Sequence, residues 1–172
     1  DSSLMFTASY SGEYYLSAEA YSSSMIGEYS LTATQMETIV EDDYSSDINT
    51  TGIIKVDESV MGEIELANDS DWYRVSLDEG NRYTINLEGE PTQKGTLSNT
   101  YLNGIYDASG NIISNTTNDN GGDSYNSQVI YEVTETGVYY ISASSVSSQT
   151  GTYTLNITQE VIENDDFTSD IN

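Results

Sequence analysis

The chain has 172 residues and a formal net charge of −25 at pH 7, because 29 acidic residues stand against only 4 Lys and Arg. A field of this sign repels nucleic acids and anionic membrane surfaces, so we expect neither as a partner. The chain contains no Cys and no His, which excludes disulfides, the usual zinc sites, thiol chemistry and imidazole acid–base catalysis.

Residues 1–35 carry the period-two alternation of β-strands. In the run EYYLSAEAY, Tyr14, Leu16 and Ala18 fall on one face, and EYSLTAT alternates in the same way through Tyr29 and Leu31. About three strands are predicted, yet the remainder of their sheet is missing, so alone they would expose an apolar face and open edges. We therefore expect this partial β unit to be covered, either by chain upstream of residue 1 or by strand addition to another molecule.

Residues 36–41 are predicted to form a linker, and residues 42–159 a complete β domain that is long enough to bury its own core. The runs VMGEIEL, DWYRVSL and RYTINLEG alternate with period two, which places Tyr73 and Val75 on one face of the second run. Turn-forming residues, such as those at 78–80, separate the runs. Many short strands with spaced turns, and no convincing helical period, predict an all-β fold: an antiparallel β-sandwich of jelly-roll type.

The end of the chain repeats its beginning. Residues 126–172 copy residues 1–49, with an offset that falls from 125 at Gly12 and Gly137 to 123 at Asn49 and Asn172. Such a period is about the size of one small domain. The chain is therefore interpreted as part of a tandem array, in which residues 1–35 end one repeat and residues 160–172 are the linker and first residues of the next.

Three runs in a fixed order resemble the bacterial pre-peptidase C-terminal domain. They are NDSDWYRVSLDEGNRYTINLEG, then YLNGIYDASGNIIS with NDNGGDS, then GVYYISASSVSSQTGTYTLNIT, and the resemblance extends from about Glu41 to Gln159. It implies a jelly-roll β-sandwich that is appended to secreted proteases and other exported proteins, or strung in tandem in large surface proteins. The collagen-binding domains of clostridial collagenases belong to this family.

The resemblance also implies a Ca²⁺ site. In the collagen-binding domains, acidic residues of the segment leading into the sandwich and of the turn before the D-x-[WF]-[YF] strand bind the ion. The matching positions are Glu41, Asp42, Asp69 and Asp71 and, for a following repeat, Asn164 and Asp165. Carboxylates suit Ca²⁺, and an ion here would tie the linker to the sandwich and stiffen the joint. The alternative is a linker and a surface turn that are merely acidic.

Other features have two interpretations each. A second acidic group, in the loops with Asp107, Asn118, Asp119 and Asp123, is interpreted as ordinary hairpin turns or as a second cation site. Trp72 is expected to pack at the edge of the sandwich rather than to form a binding surface. The abundant Tyr residues are either strand formers or a platform for a sugar or a peptide.

The preferred function is a non-catalytic repeat of an extracellular surface protein. No nucleophile has a base beside it, and no apolar run approaches the roughly 18–20 residues of a membrane span. We expect a calcium-stiffened structural or adhesive β-sandwich in a surface fibre, filament or large adhesin, whose partners are neighbouring repeats or identical subunits joined head to tail, with strand complementation as one mode of assembly. The alternative is an accessory module of a secreted hydrolase that binds a peptide, collagen or a carbohydrate such as a glycan.

Overall fold

The computed structural model describes residues 2–35 and 40–160, which fall in two compact units: unit 1, Asp1–Thr38, and unit 2, Ile39–Asn172. All strands of the described residues belong to unit 2. They are β1 (Gly52–Ile53), β2 (Ser59–Ile64), β3 (Ser70–Leu77), β4 (Arg82–Glu88), β5 (Thr100–Tyr106), β6 (Ser127–Glu132), β7 (Gly137–Ser145) and β8 (Gly151–Glu160). Short 3₁₀ turns lie at Glu90–Thr92 and Val146–Ser148, and within the described ranges no helix has the length and apolar character needed to span a membrane.

Two four-stranded sheets form a β-sandwich in unit 2, so the predicted all-β sandwich is confirmed. The first sheet has the order β1-β3-β7-β5 and the second has the order β2-β8-β4-β6. Neighbouring strands pair antiparallel, except for the two-residue β1, which pairs parallel to β3. Each sheet thus combines strands from the first and the last third of the unit.

The core lies between the two sheets and follows the predicted alternation. On β3, Tyr73 and Val75 are buried and point inward, and on β4 Tyr83, Ile85 and Leu87 do the same. One cluster of buried side chains joins these residues to those of β7 and β8. Because successive strand residues point to opposite faces, the sequence period predicts which side chains of these two strands enter the core.

Unit 1 differs from the expectation of three strands. Residues 2–35 are outside any strand in the structure, and their large apolar side chains are exposed. Their copies in unit 2 are β6, β7 and β8, which are held by hydrogen bonds to β2, β3, β4 and β5. The described residues of unit 1 include no partner strands, and a strand pattern without partner strands does not form a stable sheet in water. Of the two predicted linkers, residues 36–39 and 161–172 lie outside the described residues.

Candidate metal centre

Four carboxylates from three segments of unit 2 meet at one end of the sandwich. Asp42 and Asp43 come from the lead-in segment (residues 40–51), Glu65 follows β2, and Asp71 is the second residue of β3. One carboxylate oxygen of each lies within 4.8 Å of the corresponding oxygens of the other three. We call these four residues the acidic cluster.

The lead-in segment is fastened to the first sheet, which brings its two aspartates to the cluster. The Thr50 hydroxyl donates a hydrogen bond to the carbonyl oxygen of Trp72 at 2.7 Å. The ring of Tyr44 packs against the ring of Tyr73, with centroids 4.9 Å apart. The position of Asp42 and Asp43 is therefore set by contacts of the lead-in segment with β3.

Asp71 occupies a position that the strand alternation assigns to the core. It shares the inward face of β3 with Tyr73 and is fully buried, at 0% exposure. The hydroxyl of Tyr153 on β8 donates a hydrogen bond to one carboxylate oxygen of Asp71, and the hydroxyl oxygens of Tyr153 and Tyr73 are 2.9 Å apart. Gly62 leaves room for this pair, since a Cβ there would clash with both hydroxyls.

Three buried carboxylate oxygens at this site lack a hydrogen-bond partner among the described residues. They are Oε2 of Glu65, Oδ2 of Asp69 and Oδ1 of Asp71. A buried polar atom without a partner costs about 1–3 kcal/mol, and a charged one costs more. Such oxygens are the ligands that a hard cation prefers. The arrangement is therefore suited to a cation bound by oxygen atoms alone.

Burial and neighbouring negative charge raise the pKa values of three carboxyl groups of the cluster. Burial raises the pKa of Asp71 to about 9 and that of Glu65 to about 7, and it also raises the pKa of Asp43. The negative charge of Asp69 pushes all three pKa values in the same direction. The ion pairs of the described residues, Lys55–Glu58 and Arg82–Glu160, include no member of the cluster. A divalent cation would have to displace any proton that the carboxyl groups of the cluster carry in order to bind.

The structure brings together only some of the residues that the sequence suggested as ligands. Asp42 and Asp71 are members of the cluster, and Asp69 is adjacent through its buried oxygen. Glu41 is exposed and outside the cluster. Asn164 and Asp165 lie outside the described residues.

Sequence reasoning missed two members of the cluster, Asp43 and Glu65. Asp43 is the second residue of an Asp-Asp pair, so its signal was present in the sequence. Glu65 comes directly after the buried Ile64 at the end of β2, and it precedes the turn that contains Asp69. Glu65 lies close to residues 42 and 43 only because of the path of the lead-in segment. The local sequence pattern gives no information about this path.

The second acidic group forms turns. Asp107 accepts hydrogen bonds from the backbone N–H groups of Ser109 and Asn111, at 2.8 and 2.9 Å, and these bonds lower the pKa of Asp107. In the other loop the side-chain oxygen of Asn118 accepts from the N–H of Gly121. In this part of the fold the polar side chains thus cap their own turns, as Asx turns do.

Trp72 packs on the outer face of the first sheet. Its ring centroid is 4.0 Å from that of Tyr106 and 5.9 Å from that of Tyr140, and the side chain is nearly buried. The Tyr140 hydroxyl in turn donates to the carbonyl oxygen of Ile48 at 3.2 Å. These aromatic residues hold the lead-in segment against the sheet.

Part of unit 2 matches a known family of domains. Residues 69–145 match the family model of the bacterial pre-peptidase C-terminal domain, which confirms the resemblance seen in the sequence. No curated protein matches this chain. Among solved structures, the chain is similar to the pre-peptidase C-terminal domain of a collagenase from Bacillus anthracis, with 16% identity and a TM-score of 0.45 over 62% of this chain and 92% of that chain.

Two further structures are similar to the chain. Both are described as PliG, a periplasmic lysozyme inhibitor of g-type lysozyme. The protein from Aeromonas hydrophila is 13% identical with a TM-score of 0.43, over 63% of this chain and 96% of that chain. The protein from Salmonella Typhimurium is 15% identical with a TM-score of 0.39, over 63% of this chain and 99% of that chain.

Proposed function

We propose that unit 2, a β-sandwich of the pre-peptidase C-terminal type, is a non-catalytic, calcium-binding module of an extracellular surface protein. The observation that carries this proposal is the acidic cluster. Asp71 is fully buried and has one oxygen without a partner among the described residues, and a carboxylate oxygen of each member lies within 4.8 Å of those of the other three. In the ionised form that binds a cation, the four carboxylates lie so close together that they repel one another, and the desolvation of the buried Asp71 is costly. A divalent ion removes both penalties.

Calcium is the cation that fits the donor set best. Ca²⁺ takes six to eight oxygen ligands in flexible geometry, and the four carboxylates, with backbone carbonyls and water, supply oxygen only. Mg²⁺ requires near-ideal octahedral geometry and keeps several waters, which suits a cluster of four converging carboxylates poorly. Zn²⁺ favours Cys and His, and the chain contains neither.

The ion would act as a clamp between the lead-in segment and the sandwich. Asp42 and Asp43 are on the segment, whereas Glu65 and Asp71 are on the sandwich, so a shared ion joins the two. In a tandem array the lead-in segment is the joint between repeats, and the bound ion makes this joint stiff. The copy of the segment at the chain end, with Asn164 and Asp165, would serve a following repeat in the same way. This supports a structural or adhesive repeat in a surface fibre or large adhesin.

A polar groove favours a second candidate function, that of a binding module. The groove has a volume of about 240 Å³ and lies beside β4 and β6. Asn86 and Gln128 line it, and the Gln128 side chain donates to that of Asn86 at 2.6 Å. Amide side chains of this kind suit a carbohydrate or a peptide, as in an accessory module of a secreted hydrolase. Binding to a glycan or collagen-peptide array that is lost in Asn86→Ala would favour this candidate.

Calorimetric titration of the full chain with CaCl₂ tests the proposed function. We expect uptake of Ca²⁺ by the wild type and loss of this uptake in Asp71→Asn. The matched control is Asp119→Asn, which makes the same charge change on an exposed loop and should leave the uptake unchanged. A wild-type chain that takes up no Ca²⁺, or an Asp71→Asn variant that binds as the wild type does, would contradict the proposal.

A further inference from the structure

The internal repeat aligns strand-patterned residues of unit 1 with residues of unit 2 that lie in paired strands. Tyr14, Leu16 and Ala18 align with Tyr139, Ile141 and Ala143 of β7. In unit 2 these three β7 residues are buried in the core between the sheets. Leu16 is 55% exposed in unit 1, whereas its counterpart Ile141 is 0% exposed in unit 2.

The second strand pattern of unit 1 shows the same contrast. Tyr29 and Leu31 align with Tyr153 and Leu155 of β8, both of which are completely buried. In unit 1, Tyr29 is 75% exposed and Leu31 is 57% exposed. Further exposed apolar side chains of unit 1 are Leu4, Met5, Phe6, Tyr10, Tyr15, Tyr21, Met25 and Ile26. Large apolar side chains exposed in such number indicate an interaction surface.

The pairing of unit 2 identifies which strands are missing from unit 1. Strand β7 lies between β3 and β5, and β8 lies between β2 and β4, with β6 next to β4. All of these neighbours come from residues 59–106. The missing half therefore corresponds to residues 42–125, which contain the lead-in segment and β1 to β5.

Tyr153, the counterpart of Tyr29, shows which side chains the partner of unit 1 must supply. The buried hydroxyl of Tyr153 donates to Asp71 and lies 2.9 Å from the hydroxyl of Tyr73. A buried tyrosine hydroxyl needs such a hydrogen-bond partner. The partner of unit 1 must hence present an Asp and a Tyr two residues apart on its β3 equivalent, as the DWY run of this chain does at 71–73. An ordinary strand added to an open edge would not supply them.

We propose that residues 2–35 are the last three strands of a second sandwich, and that they bind a polypeptide of the same kind as residues 42–125, supplied by the preceding repeat. A second folded copy of this chain does not offer that partner, because its residues 42–125 are already paired with its own β6, β7 and β8. The inference depends on the repeat and on the strand pairing, and it does not depend on the proposed ion.

The test adds the missing half to the full chain. A copy of residues 42–125 is placed directly before Asp1, so that the new junction reproduces the one between Tyr125 and Asn126. Amide hydrogen exchange of residues 14–18 and 29–33 is then compared with that of the unextended chain. Amides in core strands open only with global unfolding, so we expect exchange there to slow by at least about 100-fold.

Two substitutions in the extended chain provide the controls. Leu16→Asp, at the position that corresponds to the buried Ile141, should remove the new protection while residues 71–77 of unit 2 stay protected. Thr32→Asn introduces the residue found at the equivalent outward position of β8, Asn156, and should keep the protection.

An extended chain whose residues 14–18 and 29–33 exchange as fast as in the unextended chain would overturn this inference. Protection that rises with concentration in the unextended chain would also overturn it, since a second copy would then cover unit 1. Protection gained in the presence of a chelator, in a protein that takes up no Ca²⁺, would support this inference and contradict the proposed function. The two proposals therefore fail separately.

Discussion

The hydroxyl of Tyr153 donates a hydrogen bond to the carboxylate of Asp71, and this bond joins the two sheets of the sandwich. Asp71 is on β3 of the first sheet and Tyr153 is on β8 of the second, 82 positions apart in the chain. The bond connects the acidic cluster directly to the core, because Asp71 belongs to the cluster and Tyr153 is completely buried. Changes at the site should therefore affect the stability of the whole unit.

Tyr153→Phe should lower the free energy of unfolding by about 1–3 kcal/mol, because it leaves a buried carboxylate oxygen without its donor. The matched variant is Tyr73→Phe, which removes the neighbouring hydroxyl but leaves the bond to Asp71 in place. It should cost less, about 1 kcal/mol. Urea denaturation of both variants in chelator measures the difference, and equal losses would contradict a special role for the bond between Tyr153 and Asp71.

The stability of unit 2 without divalent ions should fall as the pH rises from 5 to 9. Asp71 has a pKa of about 9 in the fold, against 3.8 for an ordinary Asp. Between these pH values the folded state holds a proton that the unfolded chain has lost, so each rise in pH favours unfolding. Glu65, with a pKa of about 7, adds to the decline in the lower part of this range.

Thermal melts in chelator across this pH range measure the effect. In Asp71→Asn the decline between pH 7 and 9 should be shallower, because the group that titrates there is gone. A midpoint that increases steadily from pH 5 to 9 in the wild type would be incompatible with protonated carboxyls in the folded site.

Asp43→Asn and Glu65→Gln should each weaken Ca²⁺ binding by at least about tenfold, because each removes a carboxylate ligand. Glu41→Gln, which makes the same charge change next to Asp42, should leave the affinity unchanged because Glu41 is outside the cluster. The rise in melting temperature with added CaCl₂ reports the affinity. A larger loss in Glu41→Gln than in Glu65→Gln would favour the ligand set suggested by the sequence over the one in the structure.

Leu155→Ala should destabilise unit 2 by about 2–5 kcal/mol, because it leaves a cavity in a well-packed core. Leu31→Ala, at the aligned position of unit 1, should leave the unfolding transition of unit 2 unchanged in the unextended chain. Denaturant unfolding followed by the fluorescence of Trp72, the chain's single Trp, measures both variants. Similar losses in the two variants would show that unit 1 is already part of a packed core.

The sequence was sufficient to predict the sandwich because its strands have one buried face. The alternation at Tyr73, Val75 and Leu77 assigned the core face of β3, and all three side chains are buried. The same period, continued two residues toward the N-terminus, reaches Asp71, so the inward position of this carboxylate was also encoded locally. The parallel pairing of β1 was not predictable, because a strand of two residues has no period.

The features that the sequence did not predict depend on pairing between distant parts of the chain. Residues 2–35 have a strand pattern as clear as that of their copy at 127–160, yet only the copy forms strands. The pattern determines which face a strand would bury, whereas neighbouring strands determine whether it forms at all. Glu65 was missed for a related reason, since its partners Asp42 and Asp43 are more than twenty residues away and reach it only through the docked lead-in segment.

A crystal structure of the chain grown with CaCl₂, with an anomalous difference map to identify calcium, tests the central claim most directly. We predict a calcium peak at about 2.3–2.6 Å from carboxylate oxygens of Asp42, Asp43, Glu65 and Asp71. A map with no calcium peak among these four carboxylates, at a calcium concentration that saturates the wild type in calorimetry, would contradict the proposed clamp between the lead-in segment and the sandwich.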